Sequence, residues 1–131
     1  MIPQDLRYSV THEWAKIDGD VCTVGITQFA VEQLTDVVAL EFKVGKGSKK
    51  TTTEGQPFGE IESVKAVSDL NAPVGGEVVE VNKAAADDPT LVSADPYGKG
   101  WLIKIKTAPG TKLDHLLTAA QYEHQIASQG H

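Results

Sequence analysis

Short alternating runs, each closed by turn residues after a few positions, dominate this chain and limit the folds open to it. Residues 13–17 and 21–26 flank Asp18-Gly19-Asp20, a good hairpin turn because Gly and Asp tolerate positive φ. Thr27 predicts the cap of a short helix running to Leu34, with Ala30, Val31 and Leu34 on one face. Val38, Leu40 and Phe42 alternate with Val37, Ala39 and Glu41, which marks a strand. Glu54-Gly55-Gln56-Pro57 reads as a turn into a longer hairpin. Phe58 and Ile61 supply apolar positions on its way out, and Val67 and Leu70 on its return, before Pro73 and Gly75-Gly76 break the run. A strand follows over 77–81. Residues 84–89 read as a helical fragment or loop, with a break at Asp88-Pro89. Trp101, Ile103 and Ile105 alternate in a last strand, and 113–117 form a helical turn. Thr118 and Gln121 have the spacing of a capping box for a C-terminal helix, which Gly130 would follow. Strands this short, with turns this dense, predict a mainly β sandwich or barrel with short helices.

A chain of 131 residues is one domain's worth, 1–131, and is long enough to bury a core without disulfide or metal staples. Its 40% hydrophobic and 23% charged content is ordinary for a soluble globular protein. The net charge of −6 argues against nucleic acid as a partner, since a phosphate-binding surface shows a basic excess. Lys43, Lys46, Lys49 and Lys50, around Gly45 and Gly47, read as a solubilising loop that blunts an edge strand. A docking patch for an acidic partner is the less favoured reading. Cys22 is the single cysteine, so no intramolecular disulfide is available. It shares a face with Val24 and Ile26 and reads as a small buried hydrophobe. No apolar run reaches the length of a membrane span. The first residues lack the pattern of a secretory or transit segment, which fits a cytoplasmic protein; a mature organellar form stays open.

Enzyme chemistry finds little support. His12, His115, His124 and His131 are scattered, with no His-x-x-x-His pair and no second cysteine, so no metal site is expected. Ser63 and Ser68 lack a nucleophile elbow. Gly45-Lys46-Gly47 and Gly98-Lys99-Gly100 lack phosphate-loop spacing and read as turns. Lys65 stands out by position: a lysine at a hairpin tip is held away from the core with its amine free. Taken alone it is a solvated charge, protonated near neutral pH. Taken alone, Glu62 is an exposed strand carboxylate, Gly76 a turn glycine, and Glu13 and Asp69 surface acids.

The neighbours of Lys65 change that reading. Glu62-Ser63-Val64-Lys65-Ala66-Val67-Ser68-Asp69 resembles the lipoyl-attachment hairpin of the glycine cleavage system H protein family. Thr11-His12-Glu13-Trp14, Val24-Gly25-Ile26-Thr27, and Asp95-Pro96-Tyr97-Gly98 with Gly100-Trp101 resemble further landmarks of that family, in its order. The likeness runs over residues 8–122. Asn71, where many members carry an aromatic residue, and Gly75, often Ser, depart from the pattern. The resemblance implies the hybrid barrel-sandwich fold of lipoyl and biotinyl carriers, with a C-terminal helix. It implies lipoate in amide linkage on Lys65, so that the cofactor carries the chemistry and the chain is no enzyme by itself.

The same resemblance implies roles for other residues and partners. Glu62 and Gly76 match positions that lipoate-attaching enzymes recognise. Thr11, Glu13 and Asp69 match positions near the cleft where the loaded arm rests. The implied function is to shuttle the aminomethyl group of glycine between enzymes. It runs from a pyridoxal-phosphate glycine decarboxylase (P protein) to a folate-dependent aminomethyltransferase (T protein). A flavin-dependent dihydrolipoyl dehydrogenase (L protein) then reoxidises the arm. Biotin carriers place Met on both sides of the lysine, where this chain has Val64 and Ala66. Lipoyl domains of 2-oxoacid dehydrogenases place Asp directly before it, where this chain has Val64. A lipoate relay that donates to other lipoyl domains, or an unmodified binding protein of the same fold, remains an alternative.

Overall fold

Positive φ at Gly19 (65°) closes the first hairpin of the computed structural model, between β2 (Glu13–Asp18) and β3 (Val21–Ile26). The structure describes residues 3–34, 36–43, 51–108 and 113–129. Before this hairpin lies β1 (Arg7–Tyr8), and after it α1 (Gln28–Leu34) and β4 (Val37–Phe42). Then come β5 (Thr51–Thr52), β6 (Pro57–Ser63), β7 (Val67–Asn71) and β8 (Gly76–Val81). Two short helices, α2 (Lys83–Asp87) and α3 (Thr90–Ala94), precede β9 (Ile103–Lys106) and the C-terminal α4 (Ala119–Gln129).

The strands form two antiparallel sheets, one in the order β1-β2-β3-β9-β8-β5 and one in the order β4-β6-β7. One core joins them. Cys22, Val24, Ile103 and Ile105 come from the larger sheet, and Leu40, Phe42, Phe58, Ile61 and Leu70 from the smaller. Burying each large aliphatic or aromatic side chain stabilises by roughly 1.5–3 kcal/mol, so neither sheet is expected to hold without the other. This is the barrel-sandwich arrangement that the resemblance implies. Cys22 is fully buried, as its place beside Val24 and Ile26 predicts, and burial pushes its thiol up to about 11.

A second cluster, Leu6, Tyr8, Trp14, Ala119 and Tyr122, docks α4 against β1 and β2. The expected capping box is present: Thr118 N–H donates to Gln121 Oε1 (2.9 Å) and Gln121 N–H to Thr118 Oγ1 (3.2 Å). Thr27 caps α1 as expected, accepting from Ala30 N–H at 3.2 Å. The family-like motifs converge in space. The Trp14 indole lies on Gly25, where an added Cβ would come within 2.5 Å of the ring, and its N–H donates to Pro96 O at 2.9 Å. Tyr97 Oη accepts from Gln28 N–H at the start of α1 (3.0 Å).

Several expectations need correction. In β4 a register shift between Val37 and Ala39 turns Val37 inward beside Leu40 and Phe42, and leaves Val38 exposed. A bulge of this kind breaks the simple alternation. Val67 is exposed and adds nothing to the core. Trp101 precedes β9 and packs on the second cluster, while Leu102 fills the main core. Asp88-Pro89 does break a helix, but Pro89, with φ of −59°, also starts α3. Residues 113–117, by contrast, make the single turn expected, with Leu116 N–H donating to Leu113 O. Of the basic cluster, Lys43 is exposed and lies 3.6 Å from the Glu60 carboxylate; Lys46, Lys49, Lys50 and the loop glycines fall outside the described residues, as does Gly130.

Gly76 is no turn glycine. It begins β8 without positive φ, and an added Cβ would lie 2.4 Å from Lys106 O and 2.7 Å from Ile105 Cγ2. Backbone cannot move aside cheaply, so Gly76→Ala should destabilise by roughly 1–3 kcal/mol. Urea unfolding measures this, and a change below about 0.5 kcal/mol would show that the β8–β9 pair has room.

Candidate functional site

The tip of the β6–β7 hairpin is built around Ser63. Its side chain is buried, and its Oγ accepts from Lys65 N–H and Ala66 N–H, both at 3.2 Å. Ser63 N–H donates to Ala66 O at 2.8 Å, and Val64 N–H to Asp36 O at 3.1 Å. A hydroxyl that takes the amides of a tight turn fixes its shape. Val64, Lys65 and Ala66 are all exposed on this frame. The Lys65 side chain has no ion pair among the described residues. The reading of Ser63 as a nucleophile misses this role; a Ser directly before a three-residue exposed tip is the signal that could have found it.

Along β7 runs a cleft of about 270 Å³. Ile61, Ser68, Asp69 and Leu70 form one wall, Phe29, Ala30, Gln33 and Leu34 of α1 the other, and Thr11, His12 and Glu13 the inner end. The three residues expected near an arm's resting place, Thr11, Glu13 and Asp69, are therefore brought to one cavity. At about 3.4 Å per residue of strand, Asp69 sits on the order of 10 Å from the tip. β7 is the free edge of its sheet, so the cleft opens beside the hairpin that carries Lys65. Register places Ser68 opposite Ile61, on the cleft side, and Asp69 opposite Glu60, toward the outer face. Asp69 is thus an exposed carboxylate at the cleft rim, and Ser68, weighed in the sequence only as a nucleophile, is a lining residue.

Glu13 is no surface acid. It is 1% exposed, and its carboxylate accepts three hydrogen bonds. Ser9 Oγ–H donates to Oε1 at 2.6 Å, Thr11 Oγ1–H donates to the same oxygen, and Asn71 N–H donates to Oε2 at 3.0 Å. An ionised carboxylate has about four acceptor positions, so Oε2 keeps one for a ligand. Desolvation by burial pushes the carboxyl above its ordinary value, while the donors from Ser9, Thr11 and Asn71 pull the other way. The same residue lines a second hollow of about 230 Å³ with Glu54, Asn71 and His115, so it forms part of the wall between two cavities.

His12 has φ of 77°, the one left-handed non-glycine among the described residues. Such a conformation costs on the order of 1–3 kcal/mol and persists only where surrounding contacts enforce it. His12 O accepts from Thr27 N–H (3.0 Å), its ring packs on Phe29 with centroids 5.0 Å apart, and its Nδ1 lies 2.7 Å from Tyr122 Oη. Tyr122 Oη also lies 2.7 Å from Thr27 Oγ1. Nothing in the spacing of the sequence signals this network.

The other candidate residues lie elsewhere. Glu62 is exposed on the outer face, paired with Ala39 and Val67, and lines a groove of about 750 Å³ with Glu41, Glu60 and Lys83. That groove contains none of the cleft residues Thr11, Glu13 and Asp69. Gly76 lies in the other sheet. Among the described residues no group of three or more His, Cys, Asp or Glu could hold a metal ion, and no helix is long and apolar enough to cross a membrane.

Comparison with known proteins gives a consistent result. The family model for the glycine cleavage H-protein matches residues 6–129. A glycine cleavage system H protein of Carboxydothermus hydrogenoformans is 47% identical over 130 residues, covering 99% of this chain and 98% of its own length. One of Bacteroides fragilis is 49% identical over 121 residues, 92% of this chain and 94% of its own length. The crystal structure of a glycine cleavage system H protein from Mycobacterium marinum superposes with a TM-score of 0.81 at 40% identity. It covers 99% of this chain and 100% of its own.

The raised Glu13 carboxyl has a consequence for stability. An acid whose folded value is raised holds its proton where the unfolded chain has already lost it. That contribution is full below the ordinary value of 4.5 and is lost as pH rises through the raised value. Urea unfolding of wild type and Glu13→Gln from about pH 4 to about pH 8 should therefore show wild type losing ground to the variant as pH rises. Parallel curves would mean that the three donors fully offset the burial.

Proposed function

The chain belongs to the glycine cleavage H-protein family, and we propose that it is a carrier bearing lipoate on Lys65. The observation that carries this reading is the pairing of an exposed lysine on a fixed tip with a cleft that opens beside it. The residues present suit the group. Val64 and Ala66 leave the amine accessible to an attaching enzyme. Ile26, Phe29, Ala30, Leu34, Ile61 and Leu70 give the cleft apolar walls for an aliphatic arm. Thr11, Glu13 and Asp69 add polar groups and negative charge where a cationic amine would sit.

Bound lipoate supplies the disulfide that takes up and hands on the one-carbon amine of glycine. The chain's own residues hold and shield that cargo. Walls of α1 and β7 keep water from it. Glu13 Oε2 and the exposed Asp69 offer charge-assisted acceptors. The family is one of non-catalytic carriers, so the reactions fall to partners. In this reading the whole of residues 1–131 acts as one unit. It takes the aminomethyl group from glycine decarboxylase (P protein), gives it to the aminomethyltransferase (T protein), and is reoxidised by dihydrolipoyl dehydrogenase (L protein). Lipoate-attaching enzymes meet the outer face, where Glu62 stands in the row with Ala39 and Val67. Gly76 contributes through the close β8–β9 approach that its missing side chain permits.

Two measurements test the reading. Intact mass and the mass of the Lys65 peptide, from cells that make lipoate, should place one lipoyl group on Lys65 and on no other lysine. Lys65→Arg should abolish attachment and glycine-cleavage activity while changing stability by no more than about 0.5 kcal/mol. Glu62→Gln should slow attachment to a folded chain. Lipoate on another lysine, or full activity of Lys65→Arg, would sink the assignment.

The second measurement follows release of the aminomethyl group from the loaded arm with no transferase present. Glu13→Gln should speed release roughly ten-fold, the factor for about 1.4 kcal/mol. Asp69→Asn should act in the same direction but less, since an exposed charge is screened. Release as slow as wild type in both variants would remove the cleft from the mechanism and leave Lys65 untouched.

A further inference from the structure

We propose that the hydroxyl of Tyr122, on the C-terminal helix, is a positioning group that sets both walls of the cleft beside the Lys65 hairpin. The proposal rests on the cleft reading above and goes beyond it. Tyr122 is fully buried, its ring stacked on Tyr8 with centroids 4.7 Å apart and planes 11° from parallel. Its hydroxyl reaches past that stack to two partners on different elements, Thr27 Oγ1 and His12 Nδ1, each at 2.7 Å.

Each partner governs one side of the cavity. Thr27 is fully buried and caps α1, accepting from Ala30 N–H at its hydroxyl and from Val31 N–H at its carbonyl. α1 supplies Phe29, Ala30, Gln33 and Leu34 to the cleft. His12 is the left-handed residue between Thr11 and Glu13, which close the inner end. A strained residue of this kind holds its conformation through tertiary contacts, and the Tyr122 hydroxyl provides one of them. His12 O also accepts from Thr27 N–H, so the three residues form a closed ring of contacts.

Protons balance around the ring. With neutral His12 protonated on Nε2, Thr27 donates to Tyr122, and Tyr122 donates to Nδ1. With a proton on Nδ1, His12 donates to Tyr122, and Tyr122 donates to Thr27, which still accepts from Ala30. Burial raises the Tyr122 hydroxyl well above its ordinary value, so the group stays neutral and keeps its proton to donate. The helix that carries this hydroxyl does not itself line the cleft.

The test compares Tyr122→Phe with Ile126→Ala. The first removes the hydroxyl and keeps the stacked ring; the second weakens α4 packing on the second cluster, which includes the Tyr122 ring, but removes none of the hydrogen bonds among Tyr122, Thr27 and His12. Two readouts are needed. Hydrogen exchange on the unloaded chain reports the Thr27 and Val31 amides. Release of the aminomethyl group from the loaded arm reports the cleft. Tyr122→Phe should accelerate exchange at both amides and speed release about five-fold, the factor expected for one lost hydrogen bond. Ile126→Ala should lower the melting temperature at least as much and leave release near wild type. Lipoylation of Lys65 should stay at the wild-type rate in both. If release in the two variants tracks melting temperature alone, Tyr122 serves only stability and the proposal falls. If Tyr122→Phe leaves release unchanged while Glu13→Gln speeds it, the proposal falls and the cleft reading stands. Unchanged release in both of those variants overturns the cleft reading and this proposal with it.

Discussion

A buried carboxylate ties the two sheets together at the point where the cleft ends. Glu13 opens β2 of the larger sheet, and its Oε2 accepts from Asn71 N–H at the close of β7 in the smaller. Burying a charge without partners is prohibitive, and burying it with a full set of donors is tolerable. The local chain provides two of the three donors to this carboxylate. Ser9 N–H donates to Glu13 O, Glu13 N–H to Ser9 Oγ, and the Ser9 and Thr11 hydroxyls point back at Oε1. The loop from Ser9 to Glu13 must fold tightly to bring them there, and the left-handed His12 is where that tightness is concentrated. The inner end of the cleft therefore inherits its shape from the need to satisfy one acid.

Local signals in the sequence were legible because their physics is local. A Thr with a Gln three residues on can satisfy each other's backbone donors wherever they occur, and Thr118 and Gln121 do so. Thr27 and the Gly19 turn are of the same kind. The bulge at Val37 was not legible, since both registers offer an alternating apolar set and only pairing with β6 decides between them. Gly76 was read as a turn glycine because its adjacency to Gly75 suggested one. Its reason lies in Lys106, thirty residues away in the chain and a backbone's width away in space. Glu13 reads as a surface acid for a related cause: Ser9 and Thr11 share its short window, but the bond from Asn71 N–H that ties it into the fold comes from β7. At the site, the Lys65 motif was plain from the letters, whereas the Tyr122, Thr27 and His12 contacts join three distant segments and leave no periodic trace.

The tip and the cleft are built on different terms. At the tip, one buried Ser63 hydroxyl takes the turn amides, so the lysine is presented mainly by contacts short in sequence, with one longer bond from Val64 N–H to Asp36 O. The cleft is assembled from the β1–β2 loop, α1 and β7, segments far apart in the chain. This separation suits a carrier. Attachment needs only a presentable lysine of fixed shape, while holding a reactive cargo needs an enclosed cavity. Changes that loosen the cavity can leave the tip intact, and the two duties can be altered independently.

On the proposed reading, Glu13 would also make the cavity responsive to what it holds. With the cleft empty, burial disfavours the ionised carboxyl. An ammonium placed against the spare acceptor of Oε2 replaces the hydration that burial removed and favours ionisation. Coupling of this sort is reciprocal. Whatever the amine does for ionised Glu13, ionised Glu13 does equally for the amine, and an uncharged arm gains nothing from it. In the reading proposed above, the group whose ionisation burial disfavours would then be the one that distinguishes a loaded arm from an unloaded one. A neutral isostere such as glutamine would relieve the first effect and forfeit the second, which is a physical reason for a carboxylate to stand in so dry a place.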